Sequence, residues 1–223
     1  SDGVFDKCIE TILRQVGDIG RMVEEFSSFA RMPKPSVAPF DMSALLREAT
    51  FSQSVVNPDI EFEFESEADE ATYIGDDRLI GQAIGNLLKN AAEAIEGMPE
   101  EADVDGSIRI ALKGDQRGLE ITIEDNGPGF PQDVRERLLE PYVTTREKGT
   151  GLGLAIVNRI IADHGGSISL QNRLYGLRGA RVRIWLPPHD ARSVEALAPI
   201  DEMAGTDLDS PQTFRVEETS PWR

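Results

Sequence analysis

Residues 125–154 read DNGPGFPQDVRERLLEPYVTTREKGTGLGL, and the fold is decided in this stretch. One carboxylate, Asp125, is followed by glycines in two groups: Gly127 and Gly129, then Gly149, Gly151 and Gly153. Glycines this dense let backbone N–H groups approach a ligand closely. The second group runs into an apolar helical pattern, Leu152, Leu154, Ala155, Ile156, Val157, Ile160 and Ile161. A glycine loop that opens a helix is a ready seat for phosphate. The first group follows the apolar run 119–123, which puts Asp125 at a strand end facing a cleft. A buried carboxylate there can accept a hydrogen bond from an exocyclic amine, such as adenine offers. These residues predict an ATP pocket, with the base at Asp125 and the phosphates under Gly149–Gly153.

Upstream, Asp76 or Asp77 caps a strong helix predicted over 78–96, with Leu79, Ile80, Ala83, Leu87, Leu88, Ala91, Ala94 and Ile95 inward. Asn86, Lys89, Asn90 and Glu93 are spaced by three and four, so they share one face. Asparagines among so many apolar residues are costly unless bonded. They either satisfy neighbouring backbone or, beside the glycine loop, offer amide oxygens to Mg²⁺. That ion keeps several waters and shares its substrate's phosphates. Other nucleotide motifs fail. GxxxxGK[ST] is absent, glycines 149, 151 and 153 do not form GxGxxG, and HRD and DFG are missing.

The remaining pattern surrounds this centre. Phe5, Ile12, Ile19 and Phe26 recur every seven residues, each with an apolar partner four further on (Ile9, Val16, Val23, Ala30). That is a bundle helix over 2–32, which either folds back on its own domain or joins a dimerisation bundle. So long a helix would overhang a compact domain, which favours the bundle. Three prolines in PKPSVAPF (33–40) predict a semi-rigid linker and the domain boundary. Asp41 can cap a short helix to Ser52. Strands are predicted at 60–65, around Tyr73 and Ile74, at 107–113 and 118–124, and as a hairpin of 166–174 with 179–186. A further helix is predicted at 131–139. From Pro187 the chain turns polar, and 189–223 reads as an acidic flexible tail.

The chain has 223 residues and a net charge of −17, which disfavours nucleic acid because phosphate affinity comes mostly from Lys and Arg. Nine acids and no Lys or Arg lie in 59–77, the pattern of a solvated face. One cysteine, Cys8, excludes an internal disulfide and suits a reducing compartment. No run approaches the roughly 18–20 apolar residues of a membrane span. The chain begins at Ser1 without Met, as a fragment would.

NLLKNAAEA (86–94), DNGPGF (125–130), EPYVTT (140–145) and GTGLGLAIV (149–157) resemble, in order and spacing, the N, G1, F and G2 boxes of sensor histidine kinases. These kinases form one branch of the gyrase- and heat-shock-90-like ATPases. The resemblance covers 41–188 as the catalytic, ATP-binding domain. RMVEEFSSFARMPKP (21–35) looks like the end of the second helix of a dimerisation and phosphotransfer domain, partial here as 1–32, and its wording is nearest the nitrogen-regulation kinases of the NtrY kind.

The resemblance implies an α/β two-layer sandwich of a mixed sheet and helices, with ATP between the helices and a mobile lid. By motif match, Asn90 would bind Mg²⁺ and Asn86 would assist at the phosphates. Asp125 would bond adenine N6, and Gly127 and Gly129 would shape the base pocket. Thr145, Gly149, Thr150, Gly151, Leu152 and Gly153 would close on the triphosphate. Arg146 and Lys148 are the candidate cations for the γ-phosphate, set against a role as ordinary solvated lid charges. Many members carry a cation three residues after the metal asparagine. Here that residue is Glu93, so the cation must come from Lys89 or from the lid. The last glycine-rich box is reduced to Gly179–Ala180.

In the ATP-hydrolysing relatives a Glu four residues before the metal Asn activates water. Asn86 stands there, and an amide cannot act as a base. The pocket should therefore hold ATP and offer its γ-phosphoryl to another nucleophile. The resemblance implies a histidine on an upstream helix, with onward relay to the receiver domain of a response regulator. Neither His164 nor His189 has that context: His164 ends a helix, where the dipole favours an imidazolium. The fragment is expected to bind ATP without phosphorylating itself. A full protein of this kind would be a membrane-anchored homodimer with this part in the cytoplasm. The alternatives are an ATP-driven chaperone or topoisomerase subunit, a binding module with a degenerate pocket, and a kinase acting on serine.

Overall fold

The computed structural model describes residues 34–67, 71–99, 105–145, 149–174 and 176–188, and residues 9–31 in part. Five strands form the main sheet: β2 (Ile60–Ser66), β4 (Gly106–Asp115), β5 (Gly118–Asp125), β6 (Ser167–Asn172) and β7 (Ala180–Leu186). Their spatial order is β2-β4-β5-β7-β6, with β2 parallel to β4 and every other pairing antiparallel. Three helices, α1 (Met42–Val56), α2 (Asp77–Glu96) and α3 (Gly153–Asp163), cover one face. Period-2 alternation explains why. Ile108, Ile110, Leu112, Ile121, Ile123, Val182 and Ile184 all point into the core, and the residues between them point out. On the outer face Glu63, Arg109, Glu124 and Arg181 stand in register across four strands, each paired with a neighbour of opposite sign. That face faces water, so the sandwich has two layers.

The long helix forms as its pattern predicts. Asp76 is its N-cap, accepting from Leu79 N at 2.9 Å, and nine of its residues are buried, Leu88 completely. Burying such a leucine stabilises the fold by roughly 2–3 kcal/mol. Helix α1 starts on the expected cap, Asp41, but runs on to Val56.

Three expectations need revision. The proline-rich stretch is not all linker: β1 (Ala38–Asp41) pairs antiparallel with β3 (Thr72–Gly75). A proline is tolerated on such an edge, and Pro39 lies there. The helix expected at 131–139 is a single 3₁₀ turn, Arg135–Arg137. Its bonds run over three residues, Arg137 N to Val134 O and Leu138 N to Arg135 O. Pro131 and Pro141 bracket a segment too short to propagate an α-helix, and among its described residues Leu138 is the buried anchor. The β6–β7 hairpin has shorter strands than expected, and Arg173 N bonds Gly179 O across its loop.

The described residues of 9–30 are helical. Their apolar side chains stand exposed: Ile12 is 61% accessible and Ile19 60%, so this stripe is not folded onto the domain. Among the described residues no helix is long and apolar enough to cross a membrane. Cys8, His189 and the tail from 190 lie outside the described residues.

Candidate functional site

Strand β5 delivers Asp125 to its end, where the carboxylate is buried at 7% accessibility. Its Oδ1 accepts from Gly127 N at 2.9 Å and from Ala180 N at 3.1 Å. Two backbone donors on one oxygen fix the plane of the carboxylate. The second donor comes from the reduced last box. Gly179, with φ +123°, lets β7 pass so close that a Cβ there would lie 1.8 Å from the Asp125 carbonyl oxygen. Gly179 and Ala180 therefore brace the acid from the neighbouring strand β7, a role their sequence context did not reveal.

The loop after Asp125 is pinned at three points. Asn126 Oδ1 accepts from Ser107 N at 2.9 Å, while its Nδ2 donates to Asp105 O at 2.7 Å. Gly127 lies against Ala94 of α2 and Gly129 against Asn172. Asn172 grips Phe130 twice, accepting from its N–H at 2.7 Å and donating to its carbonyl at 3.0 Å. Asn126 and Asn172 were missed by the sequence reading. An asparagine at a strand end is common, and nothing local to position 172 announces a partner 42 residues earlier.

Opposite, α2 presents Asn86 and Asn90, both partly buried, on the face that meets the start of α3. A Cβ on Gly153 would lie 3.8 Å from Asn90 Nδ2. Leu152, fully buried, anchors the start of α3, and Thr150 Oγ1 accepts from Leu152 N at 3.3 Å. Helix α3 carries no side-chain cap, and its first N–H groups have no acceptor within the helix. The loop after the braced carboxylate and the uncapped start of α3 thus both lie against α2, at Ala94 and at Asn90, which brings a carboxylate, an amide and helix-start N–H groups around one stretch of α2. This donor set suits a polyphosphate with an amino-purine. The amide oxygen that Asn90 carries, half-buried on α2 beside Gly153, is a hard neutral donor of the kind Mg²⁺ accepts alongside phosphate oxygens and water.

The lid is described at both ends. Tyr142 N donates to Gly151 O at 3.0 Å, latching EPYVTT onto the glycine loop. Both residues are left-handed there, Tyr142 at φ +67° and Gly151 at φ +70°. Thr145 is exposed at the near edge of the lid. Arg146 and Lys148, the expected γ-phosphate cations, lie outside the described residues. Lys89 is exposed and sits 3.8 Å from Glu93, its helical neighbour. His164 is buried and neutral rather than an imidazolium: Nδ1 donates to Ile160 O at 2.8 Å and Nε2 accepts from Asp76 N at 3.0 Å.

Comparisons with known proteins place this fold in a family. The profile of histidine kinase-, DNA gyrase B- and HSP90-like ATPases matches residues 75–190. Nitrogen regulation protein NtrY of Azorhizobium caulinodans is 54% identical over 184 residues, 82% of this chain and 24% of that protein. The C4-dicarboxylate transport sensor protein DctB of Rhizobium meliloti is 33% identical over 167 residues, 74% of this chain and 26% of that protein. The chain thus spans about a quarter of the length of these two relatives. Among solved structures, full-length ShkA in complex with AMPPNP superposes with a TM-score of 0.68 at 28% identity, over 83% of this chain and 39% of that one. The mycobacterial sensor histidine kinase MprB gives 0.59 at 29% identity, over 68% of this chain and 99% of that one. The chain belongs to the family of histidine kinase-, DNA gyrase B- and HSP90-like ATPases, and its ATP-binding domain is of the sensor histidine kinase kind, NtrY-like in sequence.

Proposed function

We propose that this domain binds Mg-ATP and transfers the γ-phosphoryl to a histidine on an upstream helix, for relay to an aspartate of a response regulator. The observation that carries the reading is a braced Asp125, whose loop lies against Ala94 of α2, together with the approach of Asn90, one turn earlier on α2, to Gly153. Asp125 accepts the adenine amine, and Gly127 and Gly129 shape the wall beside it. Asn90 would hold Mg²⁺ by its amide oxygen, with Asn86 one helical turn before it. When bound, the ion neutralises phosphate charge and orients the terminal group. The lid, with Arg146 and Lys148, closes over the triphosphate. Because Asn86 is an amide, no side chain at that position deprotonates water, and positioning and electrostatics serve transfer rather than hydrolysis.

Support for the relay comes from relatives. The kinase ThkA has been solved in complex with the response regulator protein TrrA, and it superposes with a TM-score of 0.64 at 25% identity. The exposed apolar stripe of residues 9–30 suits a dimeric bundle, and likeness to NtrY supports a membrane-anchored whole protein with this domain in the cytoplasm.

The test supplies the acceptor helix in trans. With γ-labelled Mg-ATP, label should appear on its histidine and fall at least about a hundredfold with Asn90→Ala. Steady-state ATP hydrolysis without the helix, abolished by Asn86→Ala, would instead point to an ATP-hydrolysing machine.

A further inference from the structure

Asp76 does more than cap α2. It is 2% accessible, and a buried carboxylate is costly unless every lone pair finds a partner. A serine or asparagine would cap the helix as well. Here Oδ1 accepts from Leu79 N, while Oδ2 accepts at 2.8 Å from Ser36 N, forty residues upstream in the proline-rich stretch. The Asp76 N–H donates to His164 Nε2, and His164 in turn donates to Ile160 O in α3. Room for the imidazole depends on the residue before: a Cβ on Gly75 would lie 3.1 Å from His164 Cδ2. One residue thus ties three segments far apart in sequence: the approach to β1, the start of α2 and the end of α3.

We infer that the Asp76–His164 pair is a positioning hub, through which the Ser36 segment sets the spacing between the two helices that carry the nucleotide ligands. This rests on the ATP-site reading above. From the hub α2 runs fourteen residues to Asn90, and α3 runs eleven residues back to Gly153. At about 1.5 Å per residue these arms are about 21 and 16 Å long. They are joined at one end and face each other at the other, where Asn90 meets Gly153. A tilt of about 5° at the shared end moves a far end by about 2 Å. A displacement of about 1 Å is enough to cost a positioned reaction about a hundredfold. Pro35 and Pro39 stiffen the stretch around Ser36, so a pull on that stretch reaches the hub instead of being absorbed.

Two variants test this. Ser36→Pro deletes one donor at an exposed position and leaves Asp76 and His164 intact. Asp76→Ser keeps an N-cap oxygen but loses the second one. Mg-ATP affinity by calorimetry and the melting temperature are read for native protein, both single variants and the double. The hub predicts a three- to tenfold rise in Kd for Ser36→Pro with its melting temperature within about 2 °C of native. It also predicts that the double variant binds no worse than Asp76→Ser alone, because both act through one contact. An unchanged Kd in folded Ser36→Pro overturns the hub while leaving the ATP site standing. Native protein that takes up no Mg-ATP overturns the site and the hub together.

Discussion

Asp125 illustrates how little of a candidate binding residue's environment is local. Its position at a strand end is readable from the apolar run before it, and so is its place before two glycines. Its orientation is not, because the Ala180 N–H that braces it arrives from 55 residues away. Gly179 makes that approach possible, and Gly179→Ala should cost about 2–5 kcal/mol, combining a left-handed φ with a backbone clash. A urea unfolding midpoint measures it. Tyr142 is the opposite case. It holds φ +67° although it has a bulky side chain, and it is 63% accessible, so little packing rewards the strain. Asparagine tolerates that conformation far better. Tyr142→Asn should therefore raise stability by about 0.5–1 kcal/mol, seen as a higher melting temperature in the nucleotide-free protein. No change, or a fall, would mean that the ring is held by contacts that outweigh the strain.

At the scale of elements, the sequence was clearest where one signal acts alone. Helix α2 has a cap, a wide apolar stripe and a glycine stop, and it forms within a residue of its expected bounds. The strands of the main sheet, alternating every second residue, were legible in place and order, though the β6–β7 pair came out shorter than expected. The 131–139 segment failed because its few apolar residues fit a helix, while the prolines at either end limit it to one turn. Strand β1 was missed because prolines conceal an edge strand, and pairing with β3 is a long-range contact. Asp41 joins β1 to α1, accepting from Ser43 N at 2.8 Å and from Ala71 N at 3.2 Å. The Ala71 N–H foremost holds its carboxyl below the ordinary 3.8, with burial opposing and the Ala44 and Ser43 N–H groups and Arg47 assisting. A carboxyl depressed in the folded state contributes stability above its ordinary value and loses it as pH falls through and below that value. Native protein should therefore out-melt Asp41→Asn near pH 6, and the gap should close below about pH 3.8. Parallel melting curves across that range would contradict the assignment.

For the whole molecule, the four boxes pointed to the fold before any coordinates and named the residues proposed for the ATP site, because each couples a turn to a chemical role. What they left dark were the braces: Asn126, Asn172, Gly179 with Ala180, and the Asp76–His164 link, all contacts between segments far apart in sequence. The Asp76–His164 link ties the start of α2 to the end of α3, while the other three hold the loop after Asp125, a frame suited to the nucleotide site proposed above. A ligand specific for such a native state stabilises it by about 2.7 kcal/mol at a hundred times its Kd. The central claim is that this cleft recognises a purine through an acceptor at Asp125. It is tested most directly by calorimetric titration of the native protein with Mg-ATP and with Mg-GTP, repeated on Asp125→Asn. The account predicts uptake of Mg-ATP, at least about tenfold weaker binding of Mg-GTP, whose ring presents a carbonyl where adenine presents an amine, and a loss of that preference in the folded variant. Equal affinity for the two nucleotides in native protein, or an undiminished preference for ATP in Asp125→Asn, would contradict it.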